Sequence, residues 1–307
     1  MLRWRHGDGL YRGLLWVLGA AVPLLFVALL ARLVGAALPA LRRFGVGFLL
    51  GHTWDPVAGQ FGGLPFLVGT VASSLLALLL AVPLAIGLAL FLTELAPRWL
   101  ATPVAFCAEL LAAVPSVVYG LWGLFVLVPW LRIHVQEPLA ASLGDVVPLV
   151  RGPAYGVSLF SAGVLLAIMI VPYIAAVARE VLAAVPTAQR EAALALGATR
   201  WETAWKVAMP YALPGLFGAV MLGLGRALGE TMAVTMVIGN RPEIPVSLFQ
   251  PAYTLASVLA NEFAEATDDL HLAALMEIGL LLLLLTLVVN VVARLLVWRV
   301  ARRWRAA

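Results

Sequence analysis

The sequence predicts an all-α, polytopic membrane protein with six transmembrane helices. Of its 307 residues, 63% are hydrophobic and only 12% are charged, and the mean hydropathy is +1.02. Soluble domains carry about 25% charged residues, so the chain has too little polar surface to cover a water-soluble core. The second observation is a series of apolar segments that reach the roughly 20 residues needed to cross about 30 Å of hydrocarbon.

Six segments meet this length, and they are residues 13–38, 64–94, 99–130, 154–180, 208–239 and 272–298. The stretch between Asp55 and Glu94 has no charged residue, and neither has the stretch between Arg151 and Arg179. The uncharged run from 14 to 31 exceeds the 7–15 residues of a signal-peptide core, so we expect an uncleaved first helix.

Prolines interrupt several of these segments, namely Pro83, Pro115 and Pro172. Membrane helices tolerate proline when neighbouring groups satisfy the carbonyls that it frees. We therefore predict kinked but continuous helices at these positions.

The distribution of basic residues predicts that both termini are cytoplasmic. This orientation places thirteen Arg and Lys residues inside and six outside, in accord with the positive-inside bias. Arg42 and Arg43 are the local exception. The outer segments are acidic instead, with Glu262 and Glu265 among their residues.

Several chemistries are excluded by what the sequence lacks. All four histidines lie outside the apolar segments or at their ends, which argues against an intramembrane hydrolase or a buried metal centre. The only lysine, Lys206, follows Trp205, so the chain has no Gly-Lys-Ser/Thr phosphate loop for ATP. Its outer loops, of about 20–35 residues, are too short for a substrate-binding domain. We predict no catalytic residue, no metal ligand and no nucleic-acid partner.

The longest cytoplasmic loop lies between the fourth and fifth segments. Its stretch QREAALALGA favours a short helix that begins after Pro186 and Thr187 and ends at Gly197, and Thr199 is placed to cap a second helix. On composition alone, an amphipathic connector lying on the lipid headgroups is an equally good interpretation.

The spacing of residues in this loop carries a family resemblance. It is similar to the EAA-x3-G-x9-I-x-L-P loop of ATP-binding-cassette importer permeases, with Val207 for Ile and Met209 for Leu, and the matching positions are Glu191, Ala192, Ala193, Gly197 and Pro210. The resemblance implies a coupling helix at about 188–198 that docks on an ATPase subunit. Arg190 and Glu191 would offer polar contacts, and the small residues would allow close approach.

The fifth segment contains a potential substrate site. Arg226 and Glu230 are four residues apart, which places them on one face of a continuous helix. An Arg at the membrane centre costs at least ~2.5–3.5 kcal/mol, so such residues face a bundle interior or a wet cavity. An ion pair that only fixes helix packing is the alternative. Gly223, Gly225 and Gly229 remove side-chain bulk nearby and admit either a helix or a solute.

The chemistry of this pair favours one oxyanion over another. The planar guanidinium of Arg226 suits a tetrahedral oxyanion. Glu230 repels an anion unless that anion carries a proton of its own. Phosphate is partly protonated near neutral pH and sulfate is not, so the pair favours phosphate.

Three further residues are candidates for the same pathway. Glu109 in the third segment is predicted to be a buried carboxylate that either joins the polar path or, while protonated, bonds to a neighbouring helix. Ser116 and Tyr119 either line a cavity where this helix bends or hold helices together.

Longer stretches resemble one subfamily. RALGETMAVTMVIGN from Arg226, LLAAVPSVVYGLWGLFVLVP from Leu110 and the segment from Phe61 to Pro97 are similar to permease subunits of phosphate importers of the PstC type. The resemblance implies the type I importer (MetI-like) architecture, with the transport-linked Arg and Glu at Arg226 and Glu230. It also implies a sister permease (PstA-like), an ATPase dimer (PstB-like) that holds ATP and Mg²⁺, and a periplasmic phosphate-binding protein (PstS-like).

We therefore predict a multi-pass permease of the bacterial inner membrane that moves phosphate by alternating access and is not itself an enzyme. The chain divides into residues 1–63 (tail, first helix, outer loop), a core of 64–299 with a coupling loop at about 184–207, and a basic tail of 300–307. The alternatives are the same machine carrying sulfate, molybdate or tungstate, and a proton-coupled secondary anion transporter. The EAA loop argues against the latter because such a carrier needs no ATPase dock.

Overall fold

The computed structural model describes residues 4–305. Residues 1–3 and 306–307, at the ends of the two predicted tails, lie outside the described part of the chain. The helices are α1 (Trp4–Phe44), α2 (Gly47–Leu50), α3 (Leu64–Leu95), α4 (Arg98–Ala113), α5 (Ser116–Leu143), α6 (Leu159–Ala183), α7 (Thr187–Ala195), α8 (Arg200–Leu228), α9 (Met232–Val237), α10 (Leu255–Glu262) and α11 (Asp269–Arg305).

Within the described residues, six helices are long and apolar enough to cross a membrane, as predicted: α1, α3, α5, α6, α8 and α11. Short π-helical stretches continue or interrupt three of them, at Phe91–Leu95, Gly123–Leu127, Arg132–Gln136 and Ala204–Ala208. The strands β1 (Trp54–Asp55) and β2 (Gln60–Phe61) form one antiparallel hairpin in which Trp54 faces Phe61. A 3₁₀ turn lies at Pro148–Val150. The all-α class is confirmed.

The third span differs from the prediction of one kinked helix over 99–130. Helix α4 ends at Ala113, Val114 and Pro115 are extended, and α5 begins at Ser116. Proline lacks an N–H and disfavours the helical conformation in the residue before it, so the chain breaks here. The spanning helix is α5, which continues to Leu143.

The fifth span is also divided, where a continuous helix over 208–239 was expected. Helix α8 begins at Arg200 and ends at Leu228, and α9 starts at Met232. Glu230 lies in the break, where its Oε1 accepts a 3.4 Å hydrogen bond from the backbone N–H of Ala233. The carboxylate therefore satisfies one of the free amides at the start of α9.

The main core lies around α6, which packs between α3 and α8. One face of α3 carries four fully buried alanines, Ala77, Ala81, Ala85 and Ala89. Because small side chains let helix backbones approach closely, this face sits against α6. At Gly163 on α6, an added Cβ would lie only 2.5 Å from the Leu76 side chain.

A second hydrophobic cluster joins the end of α1, the hairpin, α10 and the start of α11. Trp54 Nε1 donates a 2.8 Å hydrogen bond to Glu262, and His271 Nε2 lies 3.1 Å from the same carboxylate. Glu262, one of the acidic residues predicted to lie outside, is therefore held by neighbours within the chain. The most apolar stretch of α1 has no buried residue.

Candidate functional site

The candidate pathway lies where two helix breaks come together. One break separates α4 from α5, and the other separates α8 from α9. Helix α5 packs closely on α9, because a Cβ added at Gly120 would lie 3.1 Å from the Cα of Ala233. The two interruptions therefore bring irregular backbone and polar side chains to one place within an apolar bundle.

Arg226 occupies the last turn of α8 and rests on an aromatic ring. Its Cζ lies 4.5 Å from the centroid of the Tyr173 ring, which is within the range of a cation–π interaction. Nη2 lies 3.9 Å from Oε2 of Glu230, which is too long for a hydrogen bond. The buried Nε has no hydrogen-bond partner among the described residues. The guanidinium thus retains free donors beside the carboxylate.

Glu230 is buried, with 7% of its side chain exposed, whereas Arg226 is 32% exposed. The prediction that both residues share one face of a continuous helix was wrong, because Glu230 lies in the break after Leu228. The break still leaves the two charges adjacent.

Two tyrosines connect this site to the end of α4. Tyr119 donates a 2.9 Å hydrogen bond to the carbonyl of Leu111, and Tyr173 donates one of 2.9 Å to the carbonyl of Ala112. Both carbonyls lie in the last turn of α4, where helix carbonyls lack the usual i+4 partner, and that of Leu111 also accepts a hydrogen bond from the backbone N–H of Val114. Tyr119 was predicted as a site residue and lies here. Sequence reasoning missed Tyr173, whose only signal was a polar aromatic side chain after Pro172 in an uncharged span.

The glycines near Arg226 divide into two groups. Gly223 serves packing, since an added Cβ would lie 2.5 Å from the Ile174 side chain. A Cβ at Gly225 would meet nothing within 4 Å, and one at Gly229 would meet only the carbonyl of Gly225 at 3.6 Å. Gly225 and Gly229 therefore leave an open surface next to the guanidinium. Ser116, the other predicted residue of this region, opens α5 and is half-buried.

Glu109 is not the buried carboxylate that was predicted. Its side chain is 55% exposed, and its Oε1 accepts a 2.9 Å hydrogen bond from Nη2 of Arg179. The pair lines a crevice of about 310 Å³ beside α4. The prediction failed because α4 is a separate helix before the break and is not part of the membrane-spanning helix α5.

The loop between α6 and α8 has the predicted local structure. Helix α7 covers Thr187–Ala195, and Gly197 follows with φ +88°, a left-handed conformation that favours glycine. Thr199 caps the next helix through a capping box with Glu202.

The side chains of this loop divide between an outer and an inner face. Glu191 and Ala192 are exposed, Ala193 is half-buried, and Leu196 is 90% exposed. A Cβ at Gly197 would meet nothing within 4 Å. These residues form an exposed tip.

Arg190 faces inward, contrary to the expectation that it offers contacts to a partner. Its Nη2 lies 2.7 Å from Oε1 of Glu94 and 2.7 Å from the carbonyl of Leu182, and its Nη1 donates to the carbonyl of Val185. The side chain is used to hold α7 against the ends of α3 and α6.

Comparison with known proteins defines the class. Residues 81–306 match the family described as the binding-protein-dependent transport system inner membrane component. Solved structures with a similar fold include an inward-facing MetNI methionine ABC transporter (22% identity, TM-score 0.55, covering 78% of this chain and 94% of that one) and a bacterial ABC transporter involved in alginate import (18%, 0.57, 94% and 98%). These structures confirm the fold of a MetI-type permease.

Curated relatives define the particular family. The phosphate transport system permease protein PstC of Haemophilus influenzae is 48% identical over 277 residues, covering 89% of this chain and 88% of the relative. That of Pasteurella multocida is 48% identical (91% and 88%), and the probable PstC of Methanocaldococcus jannaschii is 36% identical (92% and 90%). The chain belongs to the PstC family of transport system permeases.

Proposed function

We propose that this chain is the permease subunit through which an ATP-driven importer moves inorganic phosphate across the inner membrane. The observation that carries the proposal is the state of Arg226, a guanidinium supported by Tyr173 that keeps free donors beside a buried carboxylate. The PstC names of its relatives support phosphate as the cargo.

The chemistry of the site fits a protonated tetrahedral anion. Arg226 can donate paired hydrogen bonds to two phosphate oxygens. Glu230 can accept the proton of a phosphate hydroxyl as a hydrogen bond, which sulfate cannot offer near neutral pH. The same machine carrying sulfate, molybdate or tungstate is therefore the less favoured alternative.

The exposed glycine surface supports a path shared with a second subunit. Gly225 and Gly229 leave the Arg226 side of α8 without cover from the described chain. A sister permease of the PstA type would form the opposite wall of the transport path. Alternating access then requires the two halves to move relative to each other, with the breaks beside α5 and α9 as the points of flexibility.

The loop tip supports coupling to a separate ATPase. Exposed Leu196, Glu191 and Ala192 offer a small, partly apolar surface, while Arg190 fixes α7 to the transmembrane helices. A movement of α7 caused by the ATPase would therefore be transmitted directly to α3 and α6. ATP and Mg²⁺ would be bound by that PstB-like dimer, and a PstS-like periplasmic protein would deliver phosphate. Both termini would be cytoplasmic. A proton-coupled secondary transporter would have no need of this surface.

Reconstitution tests the proposal. Vesicles containing this chain, a sister permease, the ATPase and the binding protein should take up radiolabelled phosphate only with ATP. A tenfold excess of sulfate should not compete. ATP-independent uptake driven by a proton gradient would contradict the ABC assignment, and effective competition by sulfate would contradict the cargo assignment.

A further inference from the structure

A groove between α1, α2 and α11 has no role in the transport path. It encloses about 360 Å³, and its walls are almost entirely apolar, formed by residues such as Leu41, Phe48, Leu49, Leu280 and Leu284. One ionisable residue lines it, Glu277 of α11. A carboxyl group in such surroundings requires a specific explanation, because ionisable groups within membrane helices are costly.

The Glu277 carboxyl group is buried and incompletely satisfied. The residue is only 5% exposed, and its Oε2 has no hydrogen-bond partner among the described residues. Buried polar atoms nearly always have a partner, since leaving one unpaired costs the full desolvation penalty. A molecule in the groove that carries an N–H or O–H group would supply the missing donor.

The position of the groove indicates what that molecule is. Its walls include parts of two transmembrane helices, and its lining residues Val46, Leu49 and Leu284 are exposed, so an apolar surface at the groove faces the bilayer. Arg42 is exposed and follows the lining residue Leu41. Arg42 and Arg43 are also the basic residues that depart from the positive-inside distribution. An apolar wall and a carboxyl acceptor match an acyl chain and an ammonium, and the positive charge of Arg42, next to Leu41 in the chain, suits a phosphate.

We propose that this groove binds an aminophospholipid, whose primary ammonium donates a hydrogen bond to Glu277 while its phosphate faces Arg42 and an acyl chain lies along Leu280 and Leu284. A single carboxylate among leucines lacks the further oxygen ligands that a metal ion requires. Water is disfavoured because it needs two to four polar partners. A choline lipid has the positive charge but no N–H donor. The site is separate from the phosphate path and does not depend on the cargo.

Lipid retention tests this proposal on the full-length chain, together with the subunits that copurify with it. The chain is placed in nanodiscs with equal amounts of phosphatidylethanolamine and phosphatidylcholine of identical acyl chains, then extracted, and its retained lipids are counted by native mass spectrometry. We expect about a tenfold preference for the ethanolamine lipid, as for a hydrogen bond to a charged group. Glu277→Gln should reduce this preference to near equality, and Glu265→Gln, at an exposed outer residue, should not.

A series of headgroups keeps the test independent of any variant. Retention by the unaltered chain should fall as the ethanolamine nitrogen is methylated once, twice and three times, because each methyl group removes a donor. Equal retention across the series would overturn the proposal. An unchanged preference in Glu277→Gln would also overturn it, and so would retention of neither lipid, which is the result expected if a sister subunit fills the groove.

Discussion

Arg226 is distinguished by the looseness of its ion pair. The guanidinium of Arg190 lies 2.7 Å from Glu94, and that of Arg179 lies 2.9 Å from Glu109, so both carboxylates are engaged directly. Nη2 of Arg226 lies 3.9 Å from Glu230. In a tight pair, the guanidinium and the carboxylate would bond to each other. At 3.9 Å, the Arg226 donors and the Glu230 acceptor are both available to a phosphate that contacts each of them.

The role of Glu230 predicts a change of selectivity. Glu230→Gln removes the charge that repels sulfate and adds an amide donor, so sulfate uptake should rise relative to phosphate uptake by roughly tenfold. The measurement is the ratio of the two labelled anions taken up by vesicles. Glu243→Gln, at an exposed pair with Arg241, serves as the control. If the ratio of sulfate to phosphate uptake stays constant in Glu230→Gln, the carboxylate does not select phosphate through a hydrogen bond from its hydroxyl group.

Among the elements, those with local signals were predicted and those set by long-range contacts were not. Gly197 and Thr199 end and start helices through their own backbone and side chain, so the sequence alone located them. The break after Ala113 was missed because apolar residues continue through it and Pro115 was interpreted as a kink. The break after Leu228 was missed because Arg226 and Glu230 were interpreted as a pair one turn apart on a continuous helix. Tyr173 pairs with the carbonyl of Ala112, which lies 61 positions away, and no single-sequence pattern indicates such a contact.

The anchoring of α7 depends on a largely buried ion pair. The side chains of Arg190 and Glu94 are 19% and 10% exposed, and removing one partner of a buried pair costs about 3–5 kcal/mol. Arg190→Met should therefore lower the unfolding temperature of the purified chain clearly. Lys206→Met, which breaks the exposed pair with Glu202, should cost less than about 1 kcal/mol. Equal decreases of the unfolding temperature in Arg190→Met and Lys206→Met would contradict the anchoring role of Arg190.

The loop tip predicts a specific loss of coupling. An added side chain at Gly197 meets open space in this chain, so Gly197→Glu should leave the membrane helices intact but obstruct an ATPase subunit. Gly197→Ala imposes the same left-handed strain, about 1–2 kcal/mol, without the bulk or charge. We expect copurification of the ATPase to fail with Glu and to persist with Ala. Copurification with both would remove the docking proposal.

At the scale of the whole molecule, we propose that the chain forms one half of a transport path that a second permease subunit completes. Its core lies around α6, and the α8 surface beside Arg226 is left open. Gly225→Leu should therefore fold and insert normally while transport falls by an order of magnitude or more, because the added side chain enters the shared path. Gly223→Leu should instead reduce the amount of folded protein, since Ile174 occupies that space. Normal uptake by the Gly225 variant would place the pathway elsewhere.

The most direct test of the central claim is phosphate uptake by the assembled transporter carrying Arg226→Gln. The account predicts that uptake falls by roughly one to two orders of magnitude, the loss expected for a charge-assisted hydrogen bond, while the ATPase still copurifies. Arg226→Lys, which keeps the charge but loses the paired donors, should retain intermediate uptake. Full uptake by Arg226→Gln in an intact assembly would contradict the account, because phosphate would then pass without the guanidinium.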